Sequence, residues 1–249
     1  FLRGGESDFV RVLVDGVAVN SPGGWFNIAH LSTANVDRIE VVRGPGSVLH
    51  GSDAMAGVIQ VFTREGRGPV RPDVKLEAGG QASRHVAVGL AGAGAAGTMA
   101  LEASSTRTAG FQPFNSRYRH EEVSGRFATV AGRPWSAVAT IRIEDSRAGF
   151  PTDGNGVPAD SNQYTTEERI TGGLVVSRRL AGGPSLQVSG SLSRAEEGFR
   201  NAMDSPGDTV GYGFQARSDG RALRSGLDMR LIGIRAGALD ATAGLAYED

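Results

Sequence analysis

Ser185 to Arg194 sets the terms for most of this chain. Leu186, Val188, Gly190 and Leu192 alternate there with Gln187, Ser189, Ser191 and Ser193. A period of two with one apolar and one polar face describes a half-buried β-strand and cannot be satisfied by a helix. The pattern returns at Ala139-Ile141-Ile143 against Thr140-Arg142-Glu144, and at Leu227-Met229-Leu231 against Asp228 and Arg230. Nine such strands are predicted, at 71–80, 83–94, 97–108, 119–131, 134–146, 167–181, 184–197, 221–234 and 237–248. Long 3.6-period apolar faces are missing. Only Leu31–Val36 and Gly46–Leu49 read as short helical turns.

The connections sort by length. Gly94-Ala95-Ala96, Gly132-Arg133, Ala181-Gly182-Gly183 and Gly233–Arg235 are tight, whereas 109–118, 147–166 and 198–220 are long and the connection near Gly79–Ala82 is short. Short turns on one rim and long loops on the other are the habit of outer-membrane barrels, whose strands alternate apolar-out and polar-in. A soluble sandwich has no reason to sort its loops in this way. The long loops hold Phe111, Phe114, Tyr118, Phe150, Tyr164, Phe199, Tyr212 and Phe214. They fit an interfacial girdle or a ligand mouth, or else ordinary loop packing.

The first 66 residues differ. Val10–Val14 is a short strand closed by an Asp15-Gly16 turn, with Val17 and Val19 on its far side. Asn20–His30 (NSPGGWFNIAH) is a loop carrying Trp25 and Phe26, which either form a contact surface or fold back onto a small core. Ile39–Val42 and Gly57–Phe62 are further strands. Between them Arg43-Gly44-Pro45-Gly46 must turn sharply.

Composition narrows the function. Net charge is −1, with 26 basic residues scattered among 27 acidic ones, so nucleic acid is not an expected partner. Cysteine is absent, which removes disulfides, thiol nucleophiles and Cys-based zinc sites. No run of about 18 apolar residues could form a membrane-spanning helix. No H-E-x-x-H, G-x-S-x-G or Walker loop is present, and GAGAAG at Gly92–Gly97 reads as a turn; no enzyme is expected. His30, His50, His85 and His120 are isolated in sequence and read as structural or solvent-facing. Asp153, Asn155 and Asp160 space oxygen donors as calcium loops do, without the closing bidentate Glu, and also simply make good turns. They are the metal candidates; otherwise no cofactor is expected.

VLVDG (Val12–Gly16), followed by RIEVVRGPGSVLHGSDAMAGVIQVFTR (Arg38–Arg64), resembles the plug domain of TonB-dependent outer-membrane receptors. The family pattern is matched at Val36, Ile39, Glu40, Val41, Val42, Arg43, Gly44, Pro45, Ser47, Gly51, Ala54, Gly57, Val58, Ile59 and Thr63. It departs at His50, Ala56 and Gln60. In style it is nearest the cobalamin and siderophore branch.

The resemblance implies a mainly β fold. A small α+β plug, its C-terminal part at 1–66, precedes the first nine antiparallel strands, 67–249, of a transmembrane barrel of about 22. Nine strands leave an open edge that lipid would not tolerate, so the chain is read as a fragment cut at both ends and not stable alone in water. The expected function is uptake across the cell outer membrane of a scarce nutrient, a ferric siderophore, haem or cobalamin. Energy would come from TonB through an N-terminal segment outside this sequence. The alternatives are a carbohydrate- or peptide-importing relative and a soluble all-β binding module. By resemblance Ser21, Trp25, Phe26 and Asn27, on the loop after VLVDG, would contact ligand, and Arg38, Glu40 and Arg43 would contact the barrel wall.

Overall fold

The structure is a computed structural model. It describes residues 7–21, 23–24, 26–28, 31–33, 35–44, 54–130, 134–152, 156–158, 160–203, 215–236 and 239–249. Two sheets account for it. The smaller has four strands in the order β2-β1-β4-β3: β1 (Val10–Val14), β2 (Val17–Ala18), β3 (Val36–Arg43) and β4 (Gly57–Thr63). It is mixed, because β1 runs parallel to β4 while β2 and β3 are antiparallel to their neighbours.

The apolar run of β1 explains its central place: all five residues are buried. Val12 and Val14 pack with Val19, Phe26 and Val61, while Leu13 packs with Ala18, Ala54 and Val58. The Asp15-Gly16 hairpin takes positive φ at both residues, 48° and 84°, which glycine permits at the second. The Asp15 carboxylate accepts from Thr63 N at 2.9 Å and Thr63 Oγ1 at 2.8 Å, tying the hairpin to the end of β4.

The larger sheet is a meander of nine strands in sequence order: β5 (Arg71–Ala78), β6 (Arg84–Gly94), β7 (Gly97–Thr108), β8 (Tyr118–Thr129), β9 (Trp135–Gly149), β10 (Tyr164–Arg179), β11 (Ser185–Asn201), β12 (Ala216–Ala236) and β13 (Leu239–Glu248). All nine expected strands are present. Four of them, β9 to β12, reach farther toward the long loops than periodicity indicated. A cross-strand charge pair supports the extensions of β11 and β12: Arg200 Nη2 meets Asp219. Consequently Tyr118, Tyr164 and Phe199 lie in strands and not in loops.

The expected turn at Leu31–Val36 is not helical. Asn35 adopts φ +52°, which ends a right-handed turn, and Val36 opens β3 by pairing with Thr63. The other expected turn, Gly46–Leu49, lies outside the described residues. A 3-10 turn at Ser7–Phe9 precedes β1.

The two faces of the meander differ in kind. One presents Val123, Phe127, Ile141, Ile143, Ile170, Leu174, Val176, Val188, Leu192, Leu223, Leu227, Met229 and Leu245, all exposed. Charged side chains bound this belt: Glu168 and Arg178 on β10, Arg194 and Glu196 on β11, and Arg221 on β12. Leu223 to Leu231 covers roughly 27 Å of strand at about 3.3 Å per residue, the height of an outer-membrane apolar band. The opposite face buries Ser104, His120, Glu122, Ser124, Arg142, Ser146, Glu167, Arg169, Thr171 and Ser193.

Leu227 sits mid-belt, so Leu227→Arg should lower the stability of the full-length protein, folded into vesicles, by roughly 2–4 kcal/mol. Ser189→Ala on the inner face should change it by about 0.5 kcal/mol or less. Urea titration measures both; equal effects would contradict the assignment of faces.

Candidate functional site

The polar face of the meander and the smaller sheet meet along a seam closed by hydrogen bonds and ion pairs. At one end Arg11, on β1, pairs with Glu248 of β13, which also lies 3.2 Å from Arg224. Asn35 donates from its backbone N to Glu102 Oε1 at 2.9 Å and from Nδ2 to Ser124 Oγ at 3.2 Å. Arg64, just after β4, contacts Asp73 at 2.9 Å and Glu102 at 3.7 Å. Arg126 reaches Glu65 at 2.9 Å and Asp15 at 4.0 Å.

Arg169 is a buried member of the seam. Its side chain is 4% exposed and bonds through Nε and Nη2 to Glu167 Oε1 at 2.9 and 2.7 Å. Nη1 donates to the Val19 carbonyl at 2.5 Å, and the guanidinium stands 5.5 Å from the centre of the Phe26 ring. Close approach here requires Gly173: a Cβ at that position would lie 2.8 Å from Val17 Cγ2. Beside this contact a cavity of about 630 Å³ runs between the sheets. Arg11, Asp15 and Gln60 line it from one side, and Gln187, Ser191, Asp228 and Arg230 from the other.

The loop that leaves β2 is anchored by Asn20. Its Oδ1 accepts from Val12 N at 2.7 Å, and its Nδ2 donates to Val10 O at 2.9 Å and Gly24 O at 2.6 Å. Ser21 is buried and donates from Oγ to Glu197 Oε1 at 2.7 Å. Phe26 folds onto the core, 8% exposed, and Asn27 is half-buried. Trp25 lies outside the described residues. Of the four expected ligand contacts, then, Ser21 and Phe26 sit in or against the seam.

Arg38, Glu40 and Arg43 are on β3, the exposed edge strand on the far side of the smaller sheet. Arg38 pairs with Glu40 at 2.7 Å, which raises its pKa, and covers the Phe62 ring at 3.8 Å. Five further residues that meet the meander, Arg11, Asp15, Asn35, Arg64 and Glu65, were not singled out from sequence as site residues. The signal available was their position at strand ends and turns, where polar groups face outward from a small sheet. Asp160 is buried, and its Oδ1 accepts from the backbone N of Asn162 and Gln163 at 2.9 and 2.8 Å, closing a turn. Asp153 and Asn155 lie outside the described residues.

The long loops 109–117 and 150–163 hold each other at the rim. Asn115 Nδ2 donates to Phe150 O at 3.2 Å and Gln163 O at 2.9 Å, and Phe150 packs on Phe199 with ring centres 6.1 Å apart. Phe111 and Phe114 stay exposed.

Residues 1–58 match the family model of the TonB-dependent Receptor Plug Domain. The chain carries a TonB-dependent receptor plug. Plug and wall together mark it as a portion of such a receptor. The Vitamin B12 transporter BtuB of Vibrio vulnificus (strain CMCP6) is 29% identical over 203 residues, 79% of this chain and 34% of that relative. The chain thus spans about a third of that relative's length. The siderophore receptor PiuA of Acinetobacter baumannii superposes with a TM-score of 0.76 at 14% identity, over 100% of this chain and 39% of that one. The ferripyoverdine receptor of Pseudomonas aeruginosa gives 0.71 at 15% identity, over 100% and 36%. These two likenesses show the fold alone.

Arg169→Ala in the full-length receptor removes the buried ion pair with Glu167 and frees the Val19 carbonyl. The expected cost is roughly 3–5 kcal/mol of local stability. Hydrogen-exchange mass spectrometry should show faster exchange over residues 17–26, with little change in β1 and β4; unchanged exchange at 17–26 would refute the role given to Arg169.

Proposed function

We propose that this chain belongs to an outer-membrane active-transport receptor. The receptor binds a scarce nutrient at its outer face and admits it when TonB delivers energy to the plug. The observation that carries the proposal is the two-faced wall. Its outer belt fits lipid, and its inner face holds the plug by polar contacts and not by a shared apolar core. Ion pairs and hydrogen bonds beside a cavity of about 630 Å³ can be exchanged for water as the plug shifts, whereas an apolar seam would resist separation. Side chains on the plug loop after β2 and on the long-loop rim stand where cargo would first arrive. The exposed belt argues against a soluble all-β binding module.

Among cargoes, cobalamin is our first choice, because the relative covering most of this chain transports vitamin B12. Ferric siderophores and haem follow, since the structural neighbours include siderophore receptors. No covalent chemistry is assigned to the chain.

The test is uptake. The full-length gene is expressed in Gram-negative cells lacking their own cobalamin and siderophore receptors, with TonB present or deleted. Labelled cyanocobalamin should accumulate only in the TonB-containing cells, and a proton uncoupler should abolish it. Accumulation of a ferric siderophore instead moves the cargo assignment. Uptake of every cargo that ignores both TonB and the uncoupler overturns the transport reading.

A further inference from the structure

A cluster on the inner face of β8 and β9 has no part in that reading. Glu122 of β8 and Glu144 of β9 are direct ladder partners, and His120 lies one step along the same face from Glu122. Like charges placed opposite each other destabilise a sheet. Here they are also withdrawn from water: the side chains of His120, Glu122 and Glu144 are 3%, 1% and 12% exposed. One donor atom from each, an imidazole nitrogen and two carboxylate oxygens, lies within 4.8 Å of the others.

An independent observation concerns satisfaction. Both ring nitrogens of His120 and both carboxylate oxygens of Glu122 are buried without a hydrogen-bond partner. Buried polar groups are rarely left so, and each costs free energy. Arg142 offers partial charge balance only. Its Nη1 comes 2.9 Å from Glu122 Oε1 without hydrogen-bond geometry, and stands 3.9 Å from Glu144. Arg169, next along the ladder from Glu144, is committed to Glu167 and Val19.

We propose that His120, Glu122 and Glu144 form a binding site for a divalent transition-metal ion on the lumen wall. One imidazole and two carboxylates suit zinc, with bonds of about 2.0–2.2 Å and a fourth position left for water. The donors need only side-chain rotation to converge on one ion. Glu122 Oε2, 3.7 Å from His120 Nε2, is the ligand oxygen, while Arg142 orients the carboxylate through Oε1. The Tyr118 ring lies parallel to the imidazole, 5° between planes and 6.3 Å between centres, and limits its tilt. The ion offsets the facing carboxylates and cross-links β8 to β9.

The full-length receptor, purified in detergent and stripped with chelator, is equilibrated with zinc chloride and desalted. Zinc per chain is then measured by mass spectrometry, and the visible spectrum is recorded after cobalt(II) substitution. The wild type should retain one equivalent and give a cobalt spectrum with a nitrogen–oxygen ligand set. His120→Ala and Glu144→Gln should each weaken zinc binding roughly 10-fold or more, with the heat-modifiable gel shift of the folded barrel unchanged. His120→Asn serves if the alanine variant does not fold. A wild type that retains no zinc, or folded variants that retain it as well as the wild type, would overturn the site.

Discussion

Everything in this structure depends on buried charge being paired across the seam between two sheets. The smaller sheet has a modest apolar core, built mainly from β1, β4 and the loop that Phe26 closes. That core leaves Arg11, Asp15, Asn35 and Arg64 facing the wall, and the wall answers with Glu248, Arg126, Glu102 and Ser124. Removing a partner costs most where the group left behind is buried, as at Asn35, and least where it is part-exposed, as at Arg64 and Glu248. The two sheets therefore specify each other's placement through charge, although little apolar area joins them.

The same arrangement explains why the wall can be polar inside and apolar outside. A strand alternates faces every residue, so one register shift would carry the charges into lipid and the leucines into the lumen. The register is held by continuous ladders, sixteen pairs long between β10 and β11. Local glycines serve the approach of the plug. Gly173 admits Val17: a Cβ there would lie 2.8 Å from Val17 Cγ2 and 3.1 Å from Thr140 Oγ1, so those side chains would have to shift.

The long-loop rim differs from the short-turn rim in construction as well as length. Asn115 and Gln163 bind two loops together through main-chain carbonyls, and Arg147 covers the Tyr164 ring at 3.7 Å. These contacts extend β9 to β11 beyond the apolar belt, into a zone where charged side chains face outward. A rim stiffened by side-chain-to-backbone bonds can hold a mouth open above the plug loop.

Period-two alternation, turn residues and the sorting of loop lengths were enough to read all nine wall strands and three of the four strands of the plug sheet. They are local properties, decided by neighbours along the chain. Strand ends shifted where cross-strand pairs such as Arg200 with Asp219 extended the ladder, because those partners are distant in sequence. The site was less legible. Ser21 and Phe26 stood out as loop residues, yet their partners, Glu197 and Arg169, lie some 140 to 180 residues away. His120 looked isolated in sequence. Glu122 stands beside it on the same face of β8, but only the pairing of β8 with β9 brought Glu144 to them and buried all three. Sequence by itself determined which residues form strands and which face of each is apolar, since both follow from a two-residue period. Tertiary structure alone decided which charges meet, because burial and Coulomb pairing act between strands whose order along the chain says nothing of their side-chain partners across the seam.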